Sequence, residues 1–163
     1  MLWENQLQSK LDQFKLSNQN TTDAIPISIK IRVTGGCFHR KHSPNAYTII
    51  DEYLLKNPLD NAIFEEHETG PELLVLLAFL AAGAELTAGV INFVSEIIKA
   101  RKIGIKRGDT PKEHIELIIR GFDVSGKFKE ELVLKIDSEN PISAELIKSA
   151  LKKSAKLFLK DQK

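Results

Sequence analysis

The chain has little of several residue types that usually indicate a function. It holds one cysteine, Cys37, in 163 residues, so an internal disulfide framework is excluded and a reducing compartment is favoured. Its formal net charge is only +1, which gives no global attraction to nucleic acid or to a membrane surface. No Walker or dinucleotide-binding fingerprint occurs. We therefore expect no cofactor and no specific catalytic or metal motif.

The N-terminal segment also lacks the basic-then-apolar order of a signal peptide, and we expect a cytoplasmic protein. Residues 1–16 instead predict a short amphipathic helix, because Trp3, Leu7, Leu11 and Phe14 share one stripe. Such a helix docks either on its own domain or on a partner, and Trp3 is a suitable anchor for the second case.

Residues 17–23 are polar and show no periodicity, which predicts a linker. The predicted organisation is an N-terminal helix, this linker, and a single domain over residues 24–163 that ends in a basic helix.

The most apolar part of the chain lies between residues 70 and 101 and predicts one long central helix. Pro71 suits the first helical position, and Glu72 suits the positive end of the helix dipole. Residues 73–84 are almost all apolar, and beyond Glu85 the apolar residues recur at helical spacing.

Three interpretations compete for the apolar half of this helix. It is a buried central helix, an interface whose small residues around Gly83 admit another helix, or a membrane-inserted segment. A spanning helix needs roughly 18 or more apolar residues. The run between Glu72 and Glu85 is shorter, so we expect no transmembrane span.

The remaining periodicities predict strands at 25–33, 61–66, 115–119 and 132–136, with a helix over 43–57 and a hairpin at 123–126. Strand–helix–strand connections favour parallel neighbours. The predicted fold is therefore α+β, a small four-stranded mixed sheet in the order β-α-β-α-β-β with one long central helix and extra helices at both termini. Because the first strand alternates apolar and polar residues, helices should cover mainly one face.

The loop 35–42 is the best local candidate for a ligand site, since it follows a strand and precedes a helix. Its possible metal ligands are Cys37, His39 and His42. Their spacing fits no zinc motif, and a fourth ligand is missing unless His67 approaches.

The same loop carries paired glycines beside Arg40 and Lys41, a combination that can hold a phosphate at a helix N-terminus. A Cys37–His39 nucleophile pair lacks an orienting third group. The simplest interpretation is an exposed basic loop. Likewise, the acidic residues 65–68 fit a solvated turn better than acid–base chemistry, and the lysines of the last helix fit a solvated face better than a nucleic-acid or membrane contact.

Four segments form a recognisable order: 27–33, the turn 66–72, the long apolar segment 73–101 and the hairpin 115–136. This order resembles the effector-associated component domains of prokaryotic conflict systems. The resemblance implies a non-catalytic adaptor found beside an effector in a bacterial defence module. The long apolar segment with its small residues separately predicts a homo- or hetero-oligomer. The partner of the adaptor would be an effector such as a peptidase, a nuclease or a nucleotide-handling protein, with no sequence-specific nucleic-acid binding.

The apolar patterns themselves suggest where contacts lie. The candidate interface residues are Trp3, Leu7, Leu11, Leu77, Leu80, Gly83 and Glu85. The alternative function, from a different class, is a small ligand-binding or metal-dependent enzyme domain that uses the loop 35–42.

Overall fold

The computed structural model describes residues 2–17, 25–34, 40–60, 62–65, 72–80, 86–110, 114–137 and 142–159. The elements in chain order are α1 (Leu2–Ser17), β1 (Ile25–Val33), α2 (Pro44–Lys56), β2 (Ile63–Glu65), β3 (Glu72–Leu80), α3 (Ala88–Lys106), β4 (Ile115–Phe122), β5 (Phe128–Ile136) and α4 (Ala144–Ala155). A short 3₁₀ helix, Lys156–Phe158, follows α4.

The strands form one five-stranded sheet in the order β2-β3-β1-β4-β5, and every neighbouring pair is antiparallel. β1 and β2 therefore run parallel to each other but are separated by β3. In the same way, β3 and β4 run parallel and are separated by β1. The segment from β1 to β4 is thus an interleaved pair of split β-α-β units, the ferredoxin-like arrangement, a fold that hosts many unrelated functions.

The structure is α+β as expected, but the predicted four-stranded mixed sheet is wrong. Within the described ranges the sheet has five strands, and all neighbouring strands are antiparallel. The prediction makes the two parallel strands that each crossover helix joins neighbours in the sheet. In the structure a third, antiparallel strand lies between the two parallel strands of each unit.

The predicted long helix over 70–101 is also wrong. Its first half is the strand β3, which pairs with β1 on one side and with β2 on the other. A short continuous apolar run fits a strand in the middle of a covered sheet as well as it fits a buried helix. The helix begins later, where the Thr87 side chain caps α3 by accepting a hydrogen bond from Val90 N.

The main core lies between one face of the sheet and the helices α2, α3 and α4. Alternate residues of β1, Ile27, Ile29 and Ile31, meet Tyr47 of α2 and Phe93 of α3 there. The periodicity predicted for the second half of the long helix is confirmed from Val90 onward, since Val90, Phe93, Val94 and Ile97 are buried on α3, whereas Leu86 precedes the helix. The helix predicted at 43–57 and the terminal hairpin are confirmed as well.

The opposite face of the sheet is covered by α1. Three α1 side chains, Leu7, Leu11 and Phe14, form a second apolar cluster against which Phe122 and Phe128 pack. The polar residues of β1 lie on this face, and Ser28 and Lys30 are buried there. The expectation that helices cover mainly one face is therefore wrong, because the N-terminal helix closes the other face.

Candidate interaction surface

The apolar stripe of the N-terminal helix packs on the chain's own sheet. Leu7 and Leu11 are 5% and 1% exposed, and Lys10 of the same helix forms a 3.0 Å ion pair with Glu65 of β2. These two candidate interface residues therefore make internal contacts. The Trp3 side chain, and the predicted linker after Ser17, lie outside what the structure describes.

The other candidate interface residues lie on or beyond β3. Leu77 pairs with Ser28 of β1 and with Ile63 of β2, and Leu80 pairs with Ile25. Both lie on a strand of the sheet, so no helix presents them for close helix–helix contact. Gly83 and Glu85 lie outside the described residues.

Only the end of the candidate loop 35–42 is described, since Cys37 and His39 lie outside the described ranges. Arg40 donates two 2.7 Å hydrogen bonds to the carboxylate of Asp51, and its guanidinium lies 5.0 Å from the centre of the Tyr47 ring. The Arg40 hydrogen bonds hold the pKa of Asp51 below its usual value. The arginine thus ties the loop to α2.

No described part of the chain brings three or more histidine, cysteine or acidic side chains into metal-binding range. In the acidic turn, Glu65 is engaged by Lys10, whereas the other residues of that turn, and His67, lie beyond the described segments.

Two carboxylates that sequence reasoning did not single out are buried, and both have structural partners. The first, Asp109, follows α3 and is 3% exposed. Its oxygens accept hydrogen bonds from the backbone N–H groups of Asn45 at 3.1 Å and Ala46 at 2.9 Å, and from the Asn45 side chain at 2.8 Å. The carboxylate therefore caps the N-terminus of α2, where a negative charge is favoured.

The second, Asp123, organises the hairpin between β4 and β5. One of its oxygens accepts hydrogen bonds from the Ser125 hydroxyl at 2.6 Å, from Ser125 N at 2.9 Å and from Lys127 N at 3.0 Å. The Ser125 side-chain hydrogen bond is the main cause that lowers the pKa of Asp123. An acid held ionised in a turn is suited to fixing the turn, and it is poorly suited to general acid–base catalysis near neutral pH.

Two shallow clefts flank the start of α3, and Asn92 lines both. One, of about 360 Å³, lies against α4 and includes Lys148 and Lys152. The other, of about 380 Å³, lies against the end of α2 and includes Tyr53, whose pKa is raised chiefly by burial. Neither cleft brings together a nucleophile, a base and an orienting group.

The exposed large apolar side chains are mostly scattered over separate elements. They are Leu16, Leu55, Ile63, Ile103, Val124, Leu132 and Leu146. Single exposed apolar residues of this kind are normal on a protein surface. Leu132 differs from the others in its setting, because it lies in the middle of a long edge strand.

β5 is that edge strand, and within the described residues it pairs with β4 alone. It is nine residues long, whereas the other edge, β2, has three residues. Leu132 is 49% exposed, and the neighbouring Glu130, Glu131 and Lys135 are exposed. An edge strand presents unpaired backbone N–H and C=O groups that can pair with another chain. The alternation in the sequence predicted this strand, but only the topology shows that it forms an edge.

No described helix is both long enough and apolar enough to cross a membrane. Comparison with protein-family models, with curated proteins and with solved structures finds no match to this chain.

Proposed function

We propose that this chain is a non-catalytic adaptor of a prokaryotic defence or effector complex, that it works in the cytoplasm, and that it acts through contacts between chains. The observation that carries the proposal is the β5 edge. Helices cover both faces of the sheet, and the long edge strand remains without a described neighbour on its outer side. Strand addition at such an edge is a common way to bind another polypeptide.

The chemistry of the buried polar groups supports the same proposal. Asp109 and Asp123 each hold backbone N–H groups in place, and Arg40 is bound to Asp51. These groups stabilise helix ends and turns. The side chains on β5 suit recognition, because exposed charges beside an apolar residue select among partners.

The proposal is tested by genetic and biochemical experiments on the same variants. The chain is co-expressed with the products of its neighbouring genes, and complexes are measured by size-exclusion chromatography with light scattering. In parallel, protection of the host against phage is scored. We expect Leu132→Asp to abolish protection, because it places a charge at the centre of the β5 edge.

Leu55→Asp is the matched control, since Leu55 is 84% exposed on α2. This variant should assemble and protect like the unmodified chain. Absence of any complex with the neighbouring gene products, together with unchanged protection after deletion of the gene, would refute the adaptor function.

A further inference from the structure

We infer that the β5 edge binds the β5 edge of a second copy of this chain, in an antiparallel pair centred on Leu132. The inference rests on the proposed function of β5 as the interaction surface, and it names the occupant of that surface. The resulting dimer would have one continuous sheet across both copies. Three β5 side chains share one face of the sheet, and their charges are complementary across a two-fold axis.

The faces follow from the strand register. Residues that pair directly across neighbouring strands point to the same side of a sheet. Glu130 pairs with Arg120, and Leu132 pairs with Ile118. Lys135 pairs with Glu116, whose carboxylate bonds Arg32 of β1.

These partners belong to the α1 side of the sheet, as Ile118 pairs with Lys30 and Arg120 with Ser28. Glu130, Leu132 and Lys135 therefore lie on one side of β5. The register shifts by one residue between Leu132 and Leu134. The extra residue, Val133, explains why Leu132 and Lys135, three apart in sequence, share a face.

A two-fold axis perpendicular to the sheet keeps each face on its own side, and an axis through Leu132 gives a complementary pairing. Leu132 then meets Leu132 of the second copy. Because the extra residue Val133 does not count in the pairing, Glu130 meets Lys135 of the second copy, and Lys135 meets Glu130. An apolar pair is thus flanked on both sides by opposite charges, the arrangement that stabilises cross-strand neighbours.

The adjacent registers are disfavoured by charge. An axis through Glu131 places that carboxylate opposite its own copy, and an axis through Leu134 places Glu130 opposite Asp137. Like charges directly opposite each other destabilise a strand pair. Charged side chains on an edge strand usually prevent indiscriminate pairing. On β5 the order of the charges allows pairing with a strand that carries opposite charges at the facing positions. A second β5 strand, running antiparallel, has that order.

Among the described residues, the middle of β5 is accessible on the α1 side. Leu132 is 49% exposed, and Glu130 and Lys135 are exposed as well. Pairing of two edge strands is a small interface, and interfaces of that size are usually weak. We therefore expect a dimer that dissociates on dilution through the micromolar range.

The first test uses the purified chain alone, so that its outcome does not depend on any effector. Sedimentation velocity across the micromolar range should show a concentration-dependent dimer. Leu132→Asp should give a monomer, since two carboxylates would face each other at the axis, whereas Leu55→Asp should still dimerise. A monomer throughout the range for the unmodified chain would overturn the inference without contradicting the adaptor function, and a dimer that survives Leu132→Asp would also overturn it.

The second test exchanges the charges. Glu130→Lys and Lys135→Glu should each weaken the dimer at least tenfold, and the double variant should recover it. Each single change also alters a pair within the chain, with Arg120 or Glu116, so melting temperatures are measured alongside. Recovery of the dimer without recovery of the melting temperature supports the contact between copies. A double variant as monomeric as the single variants, although folded, would overturn the proposed register.

The third test traps the register by a disulfide in a Cys37→Ser background. Directly opposed residues have Cβ atoms about 4.5–5.5 Å apart, close to the range that a disulfide spans. Leu132→Cys should therefore form a covalent dimer on mild oxidation. Glu131→Cys is the control, because Glu131 lies opposite Leu134 in this register. Cross-linking by Glu131→Cys and not by Leu132→Cys would refute the register.

Discussion

Replacement of Gly104 by alanine tests whether the capping of α2 by Asp109 contributes to the stability of this fold. Gly104 lies within α3, where a change from glycine to alanine ordinarily stabilises a helix by about 0.5–1 kcal/mol. A Cβ at this position would overlap Oδ2 of Asp109 and would lie 3.0 Å from the backbone nitrogen of Ala46. Helix propensity and tertiary packing therefore predict changes of opposite sign.

The magnitude follows from the bonds that the methyl group would displace. The carboxylate of Asp109 is buried and accepts three hydrogen bonds from Asn45 and Ala46. A buried donor left without a partner costs about 1–3 kcal/mol, and loss of a helix cap costs about 1 kcal/mol. Together these costs are about 2–4 kcal/mol, so after subtraction of the helix-propensity gain we expect Gly104→Ala to lower the free energy of unfolding by about 1–3.5 kcal/mol.

Urea unfolding followed by circular dichroism measures this change. Gly89→Ala is the control on the same helix, because the nearest atom to its added Cβ is the Thr87 hydroxyl oxygen at 4.0 Å; this variant should be as stable as the unmodified chain or slightly more stable. In an Asp109→Ala background, Gly104→Ala should cost less. A Gly104→Ala protein equal to or more stable than the unmodified chain would refute the reasoning.

Three further predictions concern other parts of the fold. The pKa values of Asp51 and Asp123 are lowered by their hydrogen bonds. Their contribution to stability is therefore present above the unfolded-state pKa, about 3.9, and is lost as the pH falls through the folded-state pKa. The melting temperature as a function of pH measures this loss, and Arg40→Ala should remove the part due to Asp51. Leu11→Ala should lower the free energy of unfolding by about 2–4 kcal/mol, whereas an unchanged value would show that α1 does not dock on the sheet. Thr87→Ala should cost about 0.5–1 kcal/mol by loss of the α3 cap, and no change in thermal unfolding would contradict a role for that hydroxyl.

The docking of α1 shows how one element can change the meaning of a sequence pattern. The alternation in β1 predicted a sheet with one dry face and one wet face. The covering helix is amphipathic, and its apolar stripe lies over a face that carries Ser28 and Lys30. The strand β1 is present as expected, but the expected wet face is wrong, because α1, an element elsewhere in the chain, covers the face that carries Ser28 and Lys30.

The sequence by itself determined the elements whose signals are local. The period of two in β1 and in the terminal hairpin, the Ser43–Pro44 start of α2, and the stripe of Leu7, Leu11 and Phe14 each predicted an element that the structure contains. These signals depend on backbone conformations and side-chain spacings within a few residues, so the printed order of residues is enough to find them.

Only the tertiary structure decided the rest. The apolar run that forms β3 has no period that separates a buried strand from a buried helix, and its two neighbours, β1 and β2, are what make it a strand. The capping of α2 by Asp109 joins residues more than sixty positions apart. The edge position of β5 depends on the order of all five strands. Each of these features depends on contacts between segments that are distant in sequence. The free energy of packing over the whole fold determines them, and no local sequence pattern contains that information.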